Sequence, residues 1–430
     1  TAVGMDALTS NTTGAANVAI GYAAAINQNA NYSVVIGDRA VGSGSLTGDH
    51  NTFIGHYSGY PATTAVNNTA IGSNSMSAHT TGGNNVALGY AALALNTTGS
   101  SNIAIGAYAY DANTTGAECV AIGRNALGAA SGVLQCVAIG HEALKVSTAS
   151  YNTAVGHQSL DANTTGAANV AVGDGTLGSN TTGNNNVAIG HFAINTATTA
   201  SQNVAVGTNA LRQATDGAEN SAIGSHAMFS ATTASDCIAI GYNAGYTMTT
   251  GGANCFLGKG SGYSFTGTDS TFVGQRCAEN ATTGTNNVCI GKESSLSAND
   301  ASNEFVLGNG NTNNLRCNDT SISSLSDRRD KTDIIDLTAG LDFLNTLQPR
   351  QFKWQTRDGN IKDGKIRAGF IAQELQEAQK DFDFLDLVMD NNPDKLEAKQ
   401  EHLIPVLVQA VKELSAENTA LKQRLDAAGL

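Results

Sequence analysis

The sequence is poor in the residues that build most enzyme cores. Among 430 residues there are 4 prolines and 1 tryptophan, aromatics make up 6%, and only 14% of residues are charged. With proline scarce and glycine lacking an every-third spacing, collagen is excluded. The 7 cysteines are odd in number and form no Cys-x-x-Cys pair, which argues against both a disulfide framework and a zinc site. Basic residues are outnumbered, leaving a formal net charge of −13, which disfavours general nucleic-acid binding. No apolar run approaches the roughly 20 residues of a membrane-spanning helix, so no membrane insertion is expected. No secretory signal is visible, and the chain opens at Thr1 inside a repeat. A fragment or processed chain without its N-terminal anchor is therefore expected. Disorder is disfavoured because 41% of residues are hydrophobic and polar tracts are regularly broken by Val and Ile.

What charge there is lies mostly at one end. Residues 1–317 hold 8 Lys/Arg and 16 Asp/Glu, whereas the 113 residues from 318 to 430 hold 15 and 20. Two different materials meet near residue 317.

The first material is a repeat. An aliphatic residue followed by glycine recurs 19 times from Gly4 through Gly21, Gly123, Gly190 and Gly274 to Gly308, at intervals of 16 to 18 residues. A run such as Val187-Ala188-Ile189-Gly190 is too short for a helix and rich in β-branched residues, so it reads as a short strand. Alternation puts Val187 and Ile189 on one face and Ala188 on the other. Both faces avoid charge. Both are expected to be buried, one inside the coil and the small alanine face against a neighbouring chain. A second short strand is expected about three residues on, as at Ala126-Leu127, Ala143-Leu144 and Ala210-Leu211. A turn follows, often Asn-Thr-Thr-Gly, as at 96–99, 113–116, 163–166 and 180–183, where glycine suits a positive φ.

Such a unit cannot bury its own apolar face, but stacked copies can. The fold class is therefore mainly β, a parallel β-roll or β-solenoid of 17-residue repeats over residues 1–309. Eighteen steps of about 4.8 Å make a rod of roughly 85 Å. Asparagine stands four residues before the marker glycine in 12 of 18 complete repeats, including Asn68, Asn85, Asn102, Asn169, Asn186 and Asn203. Stacked in register, these form an amide ladder that bonds rung to rung. Cys119, Cys136 and Cys237 stand at the ladder position, and Cys255 and Cys289 at strand positions, as small apolar fillers. His56, His141, His157 and His191 each follow a marker glycine and read as exposed turn residues rather than a metal ladder. No carboxylate pair in register suggests a glycosidase. Neither a metal nor a cofactor is expected.

The shaft units, for example Asn169-Val170-Ala171-Val172-Gly173 and Asn186-Val187-Ala188-Ile189-Gly190, resemble the head repeats of trimeric autotransporter adhesins such as the YadA family. That resemblance implies a left-handed parallel β-roll, trimerised side by side. The adhesin unit is shorter than 17 residues, which implies a longer turn here.

After a linker at 310–325 the second material begins. Thr320-Ser321-Ile322-Ser323-Ser324-Leu325 reads as a strand, residues 336–346 as a helix, Gln351-Phe352-Lys353-Trp354 as a strand and Asp358-Gly359 as a turn. The last stretch, 401–427, has a heptad. Ile404, Val411, Asn418 and Leu425 take one core position, and Leu407, Leu414 and Leu421 take the other. A strict seven-residue period implies a left-handed supercoil between chains, and Asn418 would fix its register at some cost in stability. The alternative is a helix packed on its own domain.

Four ordered motifs over about 105 residues resemble the peptidase S74 domain, the intramolecular chaperone of endosialidases and other phage tail proteins. They are Ser326-Asp327-Arg328-Arg329-Asp330-Lys331, Leu347-Gln348-Pro349 with Phe352-Lys353-Trp354, Gly369-Phe370-Ile371-Ala372-Gln373-Glu374, and Leu403-Ile404-Pro405-Val406-Leu407. The resemblance implies that residues 326–430 trimerise the fibre and then cut themselves off. Ser326 would be the nucleophile, Lys331 its base, and Leu325–Ser326 the scissile bond. A serine hydroxyl needs a neighbouring base, and a lysine serves only if burial or nearby cations disfavour its charge. Arg328 and Arg329 are near enough in sequence to contribute.

The expectation is a phage tail fibre or appendage on the virion, assembled as a homotrimer in the host cytoplasm. Its partners would be a cell-surface polysaccharide or protein and, through the missing N-terminal region, other tail proteins. A bacterial trimeric adhesin is the second reading, although this chain ends in a soluble helix rather than a membrane anchor. A capsule depolymerase built on the shaft is the third.

Overall fold

The structure, a computed structural model, describes residues 1–312, 326–355, 361–390 and 396–429, without the side chains of 361–363. The chain divides into two compact units, Thr1–Thr312 and Asn313–Leu430. The strand expected at 320–325, the turn at Asp358-Gly359 and Cys317 lie outside the described residues.

The first unit is a parallel β-solenoid with one short strand per rung. Nineteen strands run from Ala2–Val3 to Phe305–Leu307. Each pairs with its successor at the same phase of the repeat, as in Val187↔Val204, Ala188↔Ala205 and Ile189↔Val206. The expected second strand is not formed. In its place the chain makes a ribbon of turns in which alternate residues adopt left-handed backbone, for example Asn125 (φ 58°) and Leu127 (φ 52°). Leu127, Leu144 and Leu211 nevertheless lie fully buried. The left-handed backbone costs about 1–2 kcal/mol per residue, and burying a leucine returns a similar amount, about 1.5–3 kcal/mol. Propensity alone would not choose this geometry. Stacking on the rungs above and below does.

The two strand faces are also assigned the other way round from expectation. The central residue, usually Ala, points into the coil and is fully buried, as at Ala87, Ala188 and Ala239. The flanking aliphatic residues point outward, and Val86, Leu88, Ile103, Ile189, Ile238 and Ile240 are exposed in the single chain. The coil is narrow: one strand residue must fit opposite the buried Leu of the turn ribbon, and alanine has the volume for it. Where the strand centre is large, the ribbon shrinks. Phe53 faces Gly59 and Phe256 faces Gly262, and in each case a Cβ on the glycine would run into the ring. Phe272 is matched by Ala278 at the same ribbon position. Core volume is thus conserved by paired exchange.

The marker glycines have a backbone reason. At all but Gly308 their φ lies between 126° and 141°, a region essentially restricted to glycine. A Cβ there would also collide with the backbone of the next marker glycine, as Gly190 would with Gly207. The glycines of Asn-Thr-Thr-Gly are different. Gly99, Gly116, Gly166 and Gly183 do not adopt the expected positive φ. A Cβ on Gly99 would instead meet the carbonyl of Gly116 and the side chains of Asn96 and Asn113.

The asparagine ladder is buried and fully bonded. The Asn169 Oδ1 accepts both the backbone N–H of Asn186 (3.0 Å) and its Nδ2 (3.1 Å), while Asn186 Nδ2 also donates to the Ala200 carbonyl at 2.8 Å. The same motif links Asn51, Asn68 and Asn85, and the backbone N–H of Asn102 continues it onto Asn85 Oδ1. A second ladder joins the turn asparagines, Asn113 to Asn96 (3.0 Å) and Asn180 to Asn163 (2.9 Å). Buried amides tolerate the interior because nearly all their donors and acceptors are met, the Oδ1 of Asn180 being an exception.

The second unit is a small α+β body. Helices α1 (Leu341–Thr346), α2 (Ala372–Ala378) and α3 (Leu403–Ala427) accompany an antiparallel hairpin of Arg350–Gln355 and Ile361–Gly369. Ala339, Phe343, Leu375, Leu387, Leu403 and Val406 lie in one apolar core. Glu413 of α3 accepts the N–H of Leu341 at 2.6 Å and so caps the first turn of α1. That bond is the main reason its carboxyl sits below the usual range.

Candidate functional site

The segment from Ser326 to Lys331 folds by a local rule. Asp327 is the N-cap of a single 3-10 turn, Arg328–Asp330, and its side chain accepts the N–H of Arg329 at 2.9 Å. The turn closes with the Lys331 N–H on the Arg328 carbonyl at 3.2 Å. One turn reverses the chain enough to bring residue i+5 back onto residue i. The result is Lys331 Nζ donating to Ser326 Oγ at 2.5 Å.

Charge around this pair is arranged differently from expectation. Arg329 forms a two-point ion pair with Asp327, with Nη2 to Oδ2 at 2.6 Å and Nε to Oδ1 at 3.1 Å. This pairing holds the Asp327 carboxyl below the usual range. The guanidinium of Arg329 is therefore matched by a carboxylate rather than left to act on Lys331. Ser326 and Lys331 are both exposed in the single chain. Leu325, which supplies the carbonyl of the expected scissile bond, lies outside the described residues.

The other motifs of the C-terminal unit meet around its core. Arg350, just after Leu347-Gln348-Pro349, pairs with Glu374 through Nη2–Oε1 at 2.8 Å and Nε–Oε2 at 3.0 Å. That bond joins the hairpin to α2. Neither Arg350 nor the capping Glu413 was marked by sequence spacing, because each bond spans a long separation. The Asp327 cap did carry a sequence signal, an aspartate just ahead of a short polar turn.

Helix α3 serves two faces at once. Leu403, Val406 and Ala410 are buried against the domain. Ile404, Leu407, Val411, Leu414, Leu421 and Leu425 are exposed, as is Asn418. Packing on its own domain and an open heptad are therefore both features of the same helix.

On the shaft, His141 and His157 stack with ring centroids 5.4 Å apart. His157 Nδ1 and His191 Nε2 reach the two oxygens of Asp174 at 2.8 Å and 3.4 Å. Among the described residues, no group of three or more His, Cys, Asp or Glu is placed to hold a metal ion. The six described cysteines are free thiols. Burial pushes the Cys237 and Cys255 thiols up, away from the reactive thiolate. Among the described residues no helix is long and apolar enough to cross a membrane.

Residues 326–384 match the family model of Peptidase_S74, described as the chaperone of endosialidase. The match begins at Ser326, includes Lys331 and ends short of α3. A β-solenoid shaft followed by this segment fits a tail fibre carrying an S74 intramolecular chaperone domain. No curated protein and no solved structure matches the chain.

Proposed function

We propose that the chain is a phage tail fibre or appendage that contacts the host surface. Its C-terminal unit brings three copies together in register and then cuts the Leu325–Ser326 bond. The observation that carries the cleavage reading is Lys331 Nζ on Ser326 Oγ at 2.5 Å, in the segment matching the S74 family model. In the proposed step Ser326 Oγ adds to the Leu325 carbonyl carbon while Lys331 takes the hydroxyl proton. The C–N bond then breaks, the proton passes to the released Ser326 amine, and Leu325 is left as an ester on Oγ. Water hydrolyses that ester, giving a free carboxylate at Leu325.

Lysine acts as a base when burial or neighbouring cations disfavour its charge. In the single chain Lys331 is exposed, and Arg329 is paired with Asp327. Other copies are the proposed source of desolvation, which would make cleavage a consequence of assembly. Two unpartnered surfaces support that assembly. One is the outward aliphatic column of the shaft, with Ile103, Ile189, Ile240 and Phe305 exposed. The other is the open heptad of α3. Only a partner with the same rung period covers the first along its length, and another copy of this chain has that period.

Denaturing mass spectrometry of purified protein tests the proposal. A species ending at Leu325 is expected, with one uncut full-length species for Ser326→Ala. Continued cutting at this bond in Ser326→Ala would overturn the dyad. A monomer in native mass spectrometry would overturn the assembly.

A further inference from the structure

One stretch of the shaft carries side chains that the repeat does not ask for. At the fifth position after the marker glycine stand Gly128, Lys145, Asp161, Gly178 and Asn195 on successive rungs, so the fold accepts small or polar residues there. The next four are Arg212, Phe229, Tyr246 and Tyr263. Phe229 and Tyr246 stack with centroids 5.2 Å apart, and Tyr246 and Tyr263 with centroids 5.1 Å apart, the rings within 7° of parallel. The Arg212 guanidinium covers the upper end, 5.9 Å from the Phe229 ring. All three rings are half-buried.

The stack stops where Tyr263 is followed, at the same position one rung on, by Glu279. There the surface opens into a cleft of about 280 Å³ lined by Arg276, Glu279, Asn280, Glu293 and Ser295. Its size is near the lower end of small-ligand sites, roughly 300–1,000 Å³.

The charges select the ligand. Arg276 Nε lies 2.6 Å from Glu279 Oε2, Arg276 Nη1 lies 3.9 Å from Glu293 Oε1, and Lys292 Nζ lies 3.7 Å from Glu293. The cations are matched by carboxylates, so an anionic ligand finds no uncompensated charge. The carboxylates keep lone pairs for O–H donors, and Asn280 and Ser295 both donate and accept. The lining is too polar for an apolar peptide. We infer that this cleft, one rung on from the end of the aromatic stack, binds a neutral saccharide. The hydroxyls would bond to Glu279, Glu293, Asn280 and Arg276.

The inference deepens the host-surface reading and names the ligand class. The test uses the full chain, fluorescently labelled, on an array of neutral and acidic bacterial polysaccharides. Binding to at least one neutral polysaccharide is expected, weakened tenfold or more by Asn280→Ala and by the isosteric Glu293→Gln. Tyr32→Ser, on a distant rung, is the control that leaves it unchanged. Absence of any neutral ligand, or binding indifferent to both variants, overturns the saccharide assignment. Adhesion to host cells without polysaccharide binding would keep the surface reading and remove the saccharide. Loss of both would remove the two together.

Discussion

The shaft and the C-terminal unit solve opposite problems with opposite materials. The shaft repeats one small solution: each rung contacts its neighbours, buried amides bond upward and downward, and charge is sparse. The C-terminal unit is built once, from long-range bonds such as Arg350–Glu374 and Leu341–Glu413, and holds most of the charge. The difference teaches where damage should spread. In a stack of nearest-neighbour contacts a defect is local and divided among rungs. In the C-terminal unit a single atom can decide the outcome.

The largest expected effect follows from that concentration of chemistry. Lys331→Met should slow cleavage by about 10²–10⁴-fold, the usual contribution of a general base, while far-UV circular dichroism stays unchanged. A time course on denaturing gels measures it, and wild-type cutting by this variant would break the contrast. On the shaft, Phe256→Ala should cost about 3–5 kcal/mol. Hydrogen exchange should place the loss in the rungs flanking Phe256 and not elsewhere. Adding Gly262→Leu restores the alanine–leucine pairing of other rungs and should recover most of it. That position already has φ 57°, close to the 52° of Leu127.

A smaller effect is expected at the ladder. Asn186→Ala removes the acceptor for Asn203 and the donor to Ala200. Each orphaned buried group costs about 1–3 kcal/mol, read as a lower melting temperature with cleavage intact. The smallest concerns His79, which occupies the turn-asparagine position and is buried, with Nε2 on the Gly82 carbonyl at 2.9 Å and Nδ1 facing Asn96 Nδ2 at 3.2 Å. Burial holds its pKa below the ordinary 6.5. The unfolded chain therefore binds the proton first as pH falls. Stability should be level above pH 6.5 and decline below it, by at most about 1.4 kcal/mol per pH unit. His79→Asn should remove that decline in denaturation curves recorded at pH 7 and pH 5.

The rung period, the strand and the amide ladder were legible because each depends on residues one repeat apart. A period of 17 turns a long-range contact into a visible pattern. The turn ribbon was not legible, since Leu127 in left-handed backbone contradicts local preference and is held there only by its neighbours. The inward face was misread for a related reason. Alternation separates Val187 and Ile189 from Ala188, but which side faces inward depends on the volume left by the ribbon leucine. Ser326 and Lys331 were legible as a motif, and the turn capped by Asp327 explains their approach. The partner of Arg329 was missed because a cation two residues from an anion does not announce their pairing.

The amide ladder also gives the rod a direction. Where asparagines follow one another, as at Asn169–Asn186–Asn203–Asn220, the later residue donates its backbone N–H and its Nδ2 to the one oxygen of the rung before it. Within such a run these donors point toward the N-terminus and the side-chain oxygens toward the C-terminus. The ladder is therefore polar, and a rung entered in the reverse sense would leave both its amide hydrogens and its oxygen unmet.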